Sequence, residues 1–143
     1  MPFKFEKLEV WQLALDYIDL IYAIAHQLPK SEEYNFKSQV TRAATSVALN
    51  IAEGSTSQTD AAQARFLGLA IRSLVETVAC QHIISRRKLL QDVTALRQAY
   101  SQAETLVAKL HTMRKVIMPT QTWLRETPAP YLTDEEETQA SDD

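Results

Sequence analysis

Apolar positions recur at spacings of three and four through most of the chain, the period of a helix with a buried side. Four such segments are predicted. The first runs from about Leu8 to Leu28, where Pro29, Lys30 and Ser31 break it. The second runs from about Asn35 to Glu53, and Gly54 follows where a left-handed C-cap belongs. The third starts near Asp60, with Gln63 three residues on in the manner of a capping box, and continues to about Lys88. The fourth takes Asp92 as its N-cap and ends near Met118, before Pro119. Connections of roughly 4–7 residues favour antiparallel neighbours. The expected fold is all-α, an antiparallel up-down-up-down four-helix bundle over residues 1–118. Residues 119–143 read as a flexible acidic tail, disordered or loosely docked, with Pro119, Pro128 and Pro130 against helix formation. Trp123, Leu124, Tyr131 and Leu132 are its small apolar content.

The first segment carries two apolar stripes. One is Leu8, Trp11, Leu15, Ile18, Tyr22 and Ala25; the other is Val10, Ala14, Tyr17, Ile21, Ile24 and Leu28. Together they sweep about 200° of the helix, against about 100° for a helix serving a single core. An exposed apolar seam is rare on a monomer. The expectation is therefore a homo-oligomer in which Val10, Ala14, Tyr17, Ile21 and Ile24 meet a second subunit. The alternative is that the fourth helix or the tail covers that seam within one chain.

A polar line runs beside the apolar positions of the second segment: Gln39, Arg42, Ser46, Asn50 and Glu53. Ser73 and Glu76 sit among the apolar positions of the third. An antiparallel pairing about a turn near residue 57 sets Arg42 across from Ser73, with Glu76 within a turn. The cluster Gln39, Arg42, Ser46, Asn50, Ser73 and Glu76 is read as structural, with Arg42 and Glu76 a partly buried ion pair that fixes register more than it adds stability.

Composition removes several functions. Two glycines in 143 residues leave neither a dinucleotide-binding fingerprint nor a phosphate-cradling loop. Cys80 is alone, so no internal disulfide or cysteine zinc cluster is expected, and the cytoplasm is the expected setting. The first 20 residues lack a signal-peptide core, no run of 18 apolar residues occurs, and no membrane partner is expected. His26, His82 and His111 have no glutamate three residues earlier, which excludes the di-iron bundle pattern. Cys80 and His82 are two apart, on nearly opposite sides of a helix. No metal, cofactor or catalytic residue is assigned, and the chain is not expected to be an enzyme.

Charge is distributed unevenly. From Pro119 onward, one basic group faces seven acidic ones, a net of −6; residues 1–118 hold 14 basic and 11 acidic groups. Within residues 77–118, Arg86, Arg87, Lys88, Arg97, Lys109, Arg114 and Lys115 face only Asp92 and Glu104. This region is either a solvated face or one that attracts polyanions such as RNA with salt-dependent strength. The acidic tail is placed to screen it.

The run Gln39-Val-Thr-Arg-Ala-Ala-Thr-Ser-Val-Ala-Leu-Asn-Ile-Ala-Glu-Gly54 closely resembles the signature of the small bacterial four helix bundle proteins, the 23S rRNA intervening-sequence protein family. Phe66-Leu67, Ala70, Ser73-Leu74 and Glu76 match as well, as do Phe5, Leu8, Val10-Trp11 and Ala14. The resemblance covers roughly residues 3–118. It implies an up-and-down bundle and, from relatives, a ring of five. Members are encoded within intervening sequences of rRNA genes, and relatives of this architecture serve as accessory proteins of reverse transcriptases. The implied function is a non-catalytic oligomeric scaffold with weak RNA binding, or alternatively a protein-partner adaptor of the reverse-transcriptase accessory kind.

Overall fold

The computed structural model describes residues 3–119. Four α-helices carry the chain: α1 (Glu9–His26), α2 (Ser38–Ser55), α3 (Asp60–Arg86) and α4 (Thr94–Ile117). No strand occurs among the described residues. A short 3-10 turn, Lys4–Lys7, precedes α1; a second, Lys30–Glu32, and a π-helical turn, Glu33–Lys37, lead into α2. The expected start of the second helix at Asn35 falls inside that wider turn, where Lys37 and Glu33 pair at 3.0 Å. The expected acidic tail lies outside the described residues, apart from Pro119.

Each helix packs on the next in sequence, and α4 closes against α1; α2 against α3 is the most extensive contact. Long-range bonds fix the ends. Arg114 near the end of α4 reaches Ala64 near the start of α3, and Lys109 of α4 pairs with Glu9 at the start of α1. The core is filled by Tyr17, Ile21 and Ile24 of α1, Val40, Val47 and Ile51 of α2, Leu67, Leu74 and Ile84 of α3, and Leu106 and Leu110 of α4. By length and composition α3 is apolar enough to cross a membrane. Its inner side is taken by the bundle core, and Arg65, Arg72, Glu76 and His82 stand on its exposed side.

The inner face of α1 differs from the expected one. Val10, Ala14, Tyr17, Ile21 and Ile24, expected between subunits, are its inner stripe, each at most 5% exposed. They are sealed by the same chain. The other stripe faces outward except at Ala25, which is buried: Leu8, Trp11, Leu15 and Ile18 are half-buried and Tyr22 is 50% exposed. The Tyr17 hydroxyl does not force that stripe outward, because Thr77 and Gln81 of α3 meet it inside.

Helix ends also differ from expectation. Gly54 does not cap α2 in a left-handed turn; it lies within the helix, and no described glycine has positive φ. A Cβ there would stand 3.1 Å from Phe66 Cβ, so its lack of a side chain serves the approach of α3. The cap of α3 is Thr59, not Asp60: its hydroxyl accepts from the Ala62 amide at 3.1 Å. Asp92 acts from one position outside the expected cap, its carboxylate accepting from the Thr94 amide at 2.9 Å. That bond holds its carboxyl below the usual range, with a further contribution from Arg97.

The left-handed residue is Lys88, at φ 55°. Leu89 donates to Ile84 O and Lys88 to Ser85 O, both at 3.1 Å, the paired bonds of a Schellman ending. A lysine there bears the Cβ clash that glycine avoids, about 1–2 kcal/mol. Lys88→Gly is expected to raise unfolding stability by about 0.5–1 kcal/mol after glycine's greater unfolded-state freedom is set against it. Urea unfolding followed by circular dichroism checks this; a loss of stability would show that the lysine side chain supports the turn.

Candidate functional site

The polar line divides into an inner and an outer part. Asn50 Nδ2 donates to Ser46 O at 2.8 Å and to Ser46 Oγ at 3.0 Å, and Ser73 Oγ donates to Ser46 Oγ at 3.0 Å. These three groups are half-buried and satisfy one another across the α2–α3 seam. The expected Arg42–Glu76 ion pair is absent. Both residues are exposed, as is Gln39, and Arg42 Nε donates to Ser38 O on its own helix at 3.3 Å. The antiparallel register brings residues 46 and 73 together but turns positions 42 and 76 outward.

A second polar cluster had no sequence signal beyond its period. The Tyr17 hydroxyl shares a 2.7 Å hydrogen bond with the Thr77 hydroxyl and accepts from Gln81 Nε2 at 2.6 Å; all three residues are buried. Burial pushes the Tyr17 pKa up to about 12 against the two hydrogen bonds, with the nearby Cys80 adding to the rise. Burial also raises the Cys80 thiol, with Glu76 adding a smaller effect, so this side chain sits as an un-ionised apolar filler.

The seven basic residues expected on one face fall into separate places. Arg86, Arg87, Lys88 and Arg97 are exposed around the turn that joins α3 to α4. Arg97 borders a shallow groove with Gln81, His82, Ser85 and Tyr100. Lys109 lies on the α1 side, paired with Glu9 at 3.0 Å. Arg114, expected on the surface, is 6% exposed; its Nε donates to Ala64 O at 2.9 Å. Lys115 is exposed in the last turn of α4. At 1.5 Å per residue, Arg97 and Arg114 stand about 25 Å apart along α4.

Near Arg114 the structure adds two arginines that the charge count along the chain passed over. Arg65 and Arg72 of α3 line a groove of about 550 Å³ with Gly68, Leu69, Val75 and, from α4, His111 and Arg114. A Cβ on Gly68 would stand 3.1 Å from the Arg114 guanidinium, so glycine makes the seat for that side chain. Partial burial pushes the His111 pKa down, and Arg114 and Lys115 push it further. The missed signal was spacing: Arg65, Gly68 and Arg72 share one stripe of α3, though Asp60 and Glu76 balance the local charge. No trio of His, Cys, Asp or Glu set to hold a metal occurs among the described residues.

The fold and these sites define a small four-helix bundle whose internal polar groups tie helices together and whose α3–α4 turn gathers four exposed cations. Residues 6–112 match the family model described as 23S rRNA-intervening sequence protein, and the chain belongs to that family. A solved structure from Bacteroides thetaiotaomicron VPI-5482, a protein with unknown function from the S23 ribosomal protein family, shares the fold at a TM-score of 0.68. It is 20% identical, and the likeness covers 74% of this chain and 98% of that one. None of the curated proteins matches the chain.

The Tyr17 cluster sets an alkaline limit. An unfolded tyrosine ionises near pH 10, whereas the folded one keeps its proton to about 12. The unfolded state therefore binds fewer protons between these values, and stability falls as pH rises from 10 to 12 by about 2–3 kcal/mol. Tyr17→Phe removes that slope but leaves Thr77 and Gln81 short of a partner, at a cost of about 1–3 kcal/mol at neutral pH. Unfolding titrations at neutral pH and across pH 9–12 check both; an unchanged alkaline slope in the variant would contradict the assignment.

Proposed function

We propose that the protein is a non-catalytic, oligomeric helical scaffold of the cytoplasm that contacts RNA weakly through exposed basic groups. The observation that carries the nucleic-acid reading is the turn between α3 and α4. Arg86, Arg87, Lys88 and Arg97 are all exposed there, and Asp92 is the acidic residue between them. The turn is held in shape by the Schellman bonds and the Asp92–Thr94 bond, so these cations stand on a fixed base. Phosphates are the chemistry such a cluster attracts, and no base-stacking platform accompanies it. The family description supports an RNA context, since it names a 23S rRNA intervening sequence.

Self-association is supported by the outer stripe of α1, not the inner one. Trp11, Leu15 and Ile18 stay half-buried, and Tyr22 and Leu49, on the facing side of α2, are 50% and 58% exposed. Tyr22 and Thr45 hydroxyls meet at 3.4 Å across the same two helices. Apolar side chains left open along one helical stripe are the kind of surface that contact sites use. Family resemblance gives a ring of five as its form. A ring also repeats the basic turn, so that weak phosphate contacts add through avidity.

Light scattering behind size exclusion is expected to give a multimer at tens of micromolar, and Leu15→Glu with Tyr22→Glu a folded monomer. A native monomer at that concentration would end the oligomer reading. Mobility shifts with single-stranded RNA across a salt series are expected to show affinity falling with salt. Replacing Arg86, Arg87 and Lys88 by Gln is expected to reduce the log–log slope by about 2, at roughly 0.7 per phosphate contact. RNA binding with no salt dependence, or none at low salt, would overturn the phosphate mechanism.

A further inference from the structure

The α3–α4 groove at the end of α4 opposite the basic turn carries cationic side chains on both walls. Arg65 and Arg72 are exposed on α3 and stand about 10 Å apart along it, at 1.5 Å per residue. Arg114 and His111 supply the α4 wall, and no Asp or Glu is among the described residues that line it. Gly68, between the arginines on their stripe, lets the Arg114 guanidinium approach the helix. Two exposed arginines rooted about 10 Å apart can each meet a different carboxylate of an acidic run, because their long side chains reach well beyond their Cα positions. At about 3.3 Å per residue, a run of four acidic residues spans that length.

The chain carries such a run. Asp134-Glu135-Glu136-Glu137 lies in the segment that continues from α4, whose last turn holds Arg114 and Lys115. The described chain ends at Pro119, five residues past Arg114. The fifteen residues from Pro119 to Asp134 reach up to about 50 Å, more than the distance back to the groove requires. The segment from Pro119 onward has seven acidic groups against Arg125 alone. Attachment to the same chain gives it an effective concentration on the order of millimolar, above that of a free polyanion.

We propose that Asp134–Glu137 of the chain's own C-terminal segment pairs with Arg65 and Arg72 in the groove between α3 and α4. Where RNA bound at the basic turn extends along α4 to this groove, the segment competes with its phosphates; that competition rests on the RNA-binding reading, and the occupancy does not. His111 is the reporter, since it lines the groove among Arg65, Arg72, Arg114 and the neighbouring Lys115. Carboxylates brought among these cations favour its protonated form.

The test compares the full-length protein with the full-length variant D134N/E135Q/E136Q/E137Q, following the His111 imidazole by NMR, with its resonance assigned through His111→Gln. Without nucleic acid, the native His111 midpoint is expected about half a pH unit or more above the variant's. That gap is expected to close in about 1 M salt and in a background of Arg65→Ala with Arg72→Ala, two exposed positions whose loss leaves the core intact. Equal midpoints in the native chain and the variant would overturn the proposal. So would a gap that persists without Arg65 and Arg72. With a single-stranded RNA oligonucleotide added, the variant is expected to bind several-fold more tightly than the native chain. A midpoint gap without RNA binding by either chain upholds the occupancy and sinks only the RNA reading. Equal midpoints that shift only on adding RNA would give the groove to nucleic acid and remove the C-terminal segment from it.

Discussion

The close approach of α2 to α3 sets everything else in this bundle. Small residues make it possible: Gly54 lies against Phe66, and Ser46 meets Ser73 with a 3.0 Å bond between hydroxyls. Two helices this near leave little room for side chains between them and turn their larger apolar groups to one common side. Ile51 and Val47 of α2 and Leu67 and Leu74 of α3 therefore share a trough, which α1 and α4 fill. The Ser46–Asn50–Ser73 bonds fix the register, because a slip of one residue would separate groups that are half out of water and reliant on one another. Tyr17 then locks α1 onto that pair from across the core, through Thr77 and Gln81.

Helix count, helix ends to within a few residues and the all-α class were legible because period and breakers act locally. The side each helix presents was less so. Two apolar stripes on α1 could be seen, but nothing in a 3.6-residue period says which turns inward. The inner stripe contains Tyr17, whose hydroxyl looks costly to bury until its partners on α3 are known, 60 and 64 positions away. The same limit separated success from failure along α2. Antiparallel arithmetic brought Ser46 to Ser73 but also invited Arg42 toward Glu76. Register fixes height along the axis; azimuth depends on how closely the helices approach, and here the approach excludes long charged side chains from the seam.

Charge suffers most from being read along a line. Seven cations within residues 77–118 counted as one patch, yet helix geometry spreads them around and along α4. Arg114 is drawn inside by the Ala64 carbonyl and the space over Gly68, Lys109 turns to Glu9, and four remain around one turn. Arg65 and Arg72 escaped notice because Asp60 and Glu76 cancel them in sequence but do not line the groove. Gly54 misled for a related reason. In a chain with two glycines, the one after a helical run looks like a terminator, but both glycines serve close approach, and the left-handed turn fell to Lys88.

The two sides of the bundle differ in what they expose. Helices α1 and α2 present Trp11, Leu15, Ile18, Tyr22 and Leu49 with Arg42, while α3 and α4 on the opposite side present Arg65, Arg72 and the cations of their turn, beside exposed Val75, Ile83 and Tyr100. Apolar burial is worth roughly 25 cal/mol per Å² and is insensitive to salt, whereas phosphate contacts weaken steeply as salt rises. In the proposed assembly, contacts through the first side would hold under conditions that release phosphate contacts through the second. A ring of the proposed kind would repeat the basic turn once per subunit, at spacings set by the subunits and not by the ligand. Such a surface favours a long, flexible polyanion that can touch several turns at once over a short one that reaches a single turn. The division of labour follows from α2 and α3 packing so closely: that contact commits the inner stripe of α1 to the core and leaves its second stripe outside.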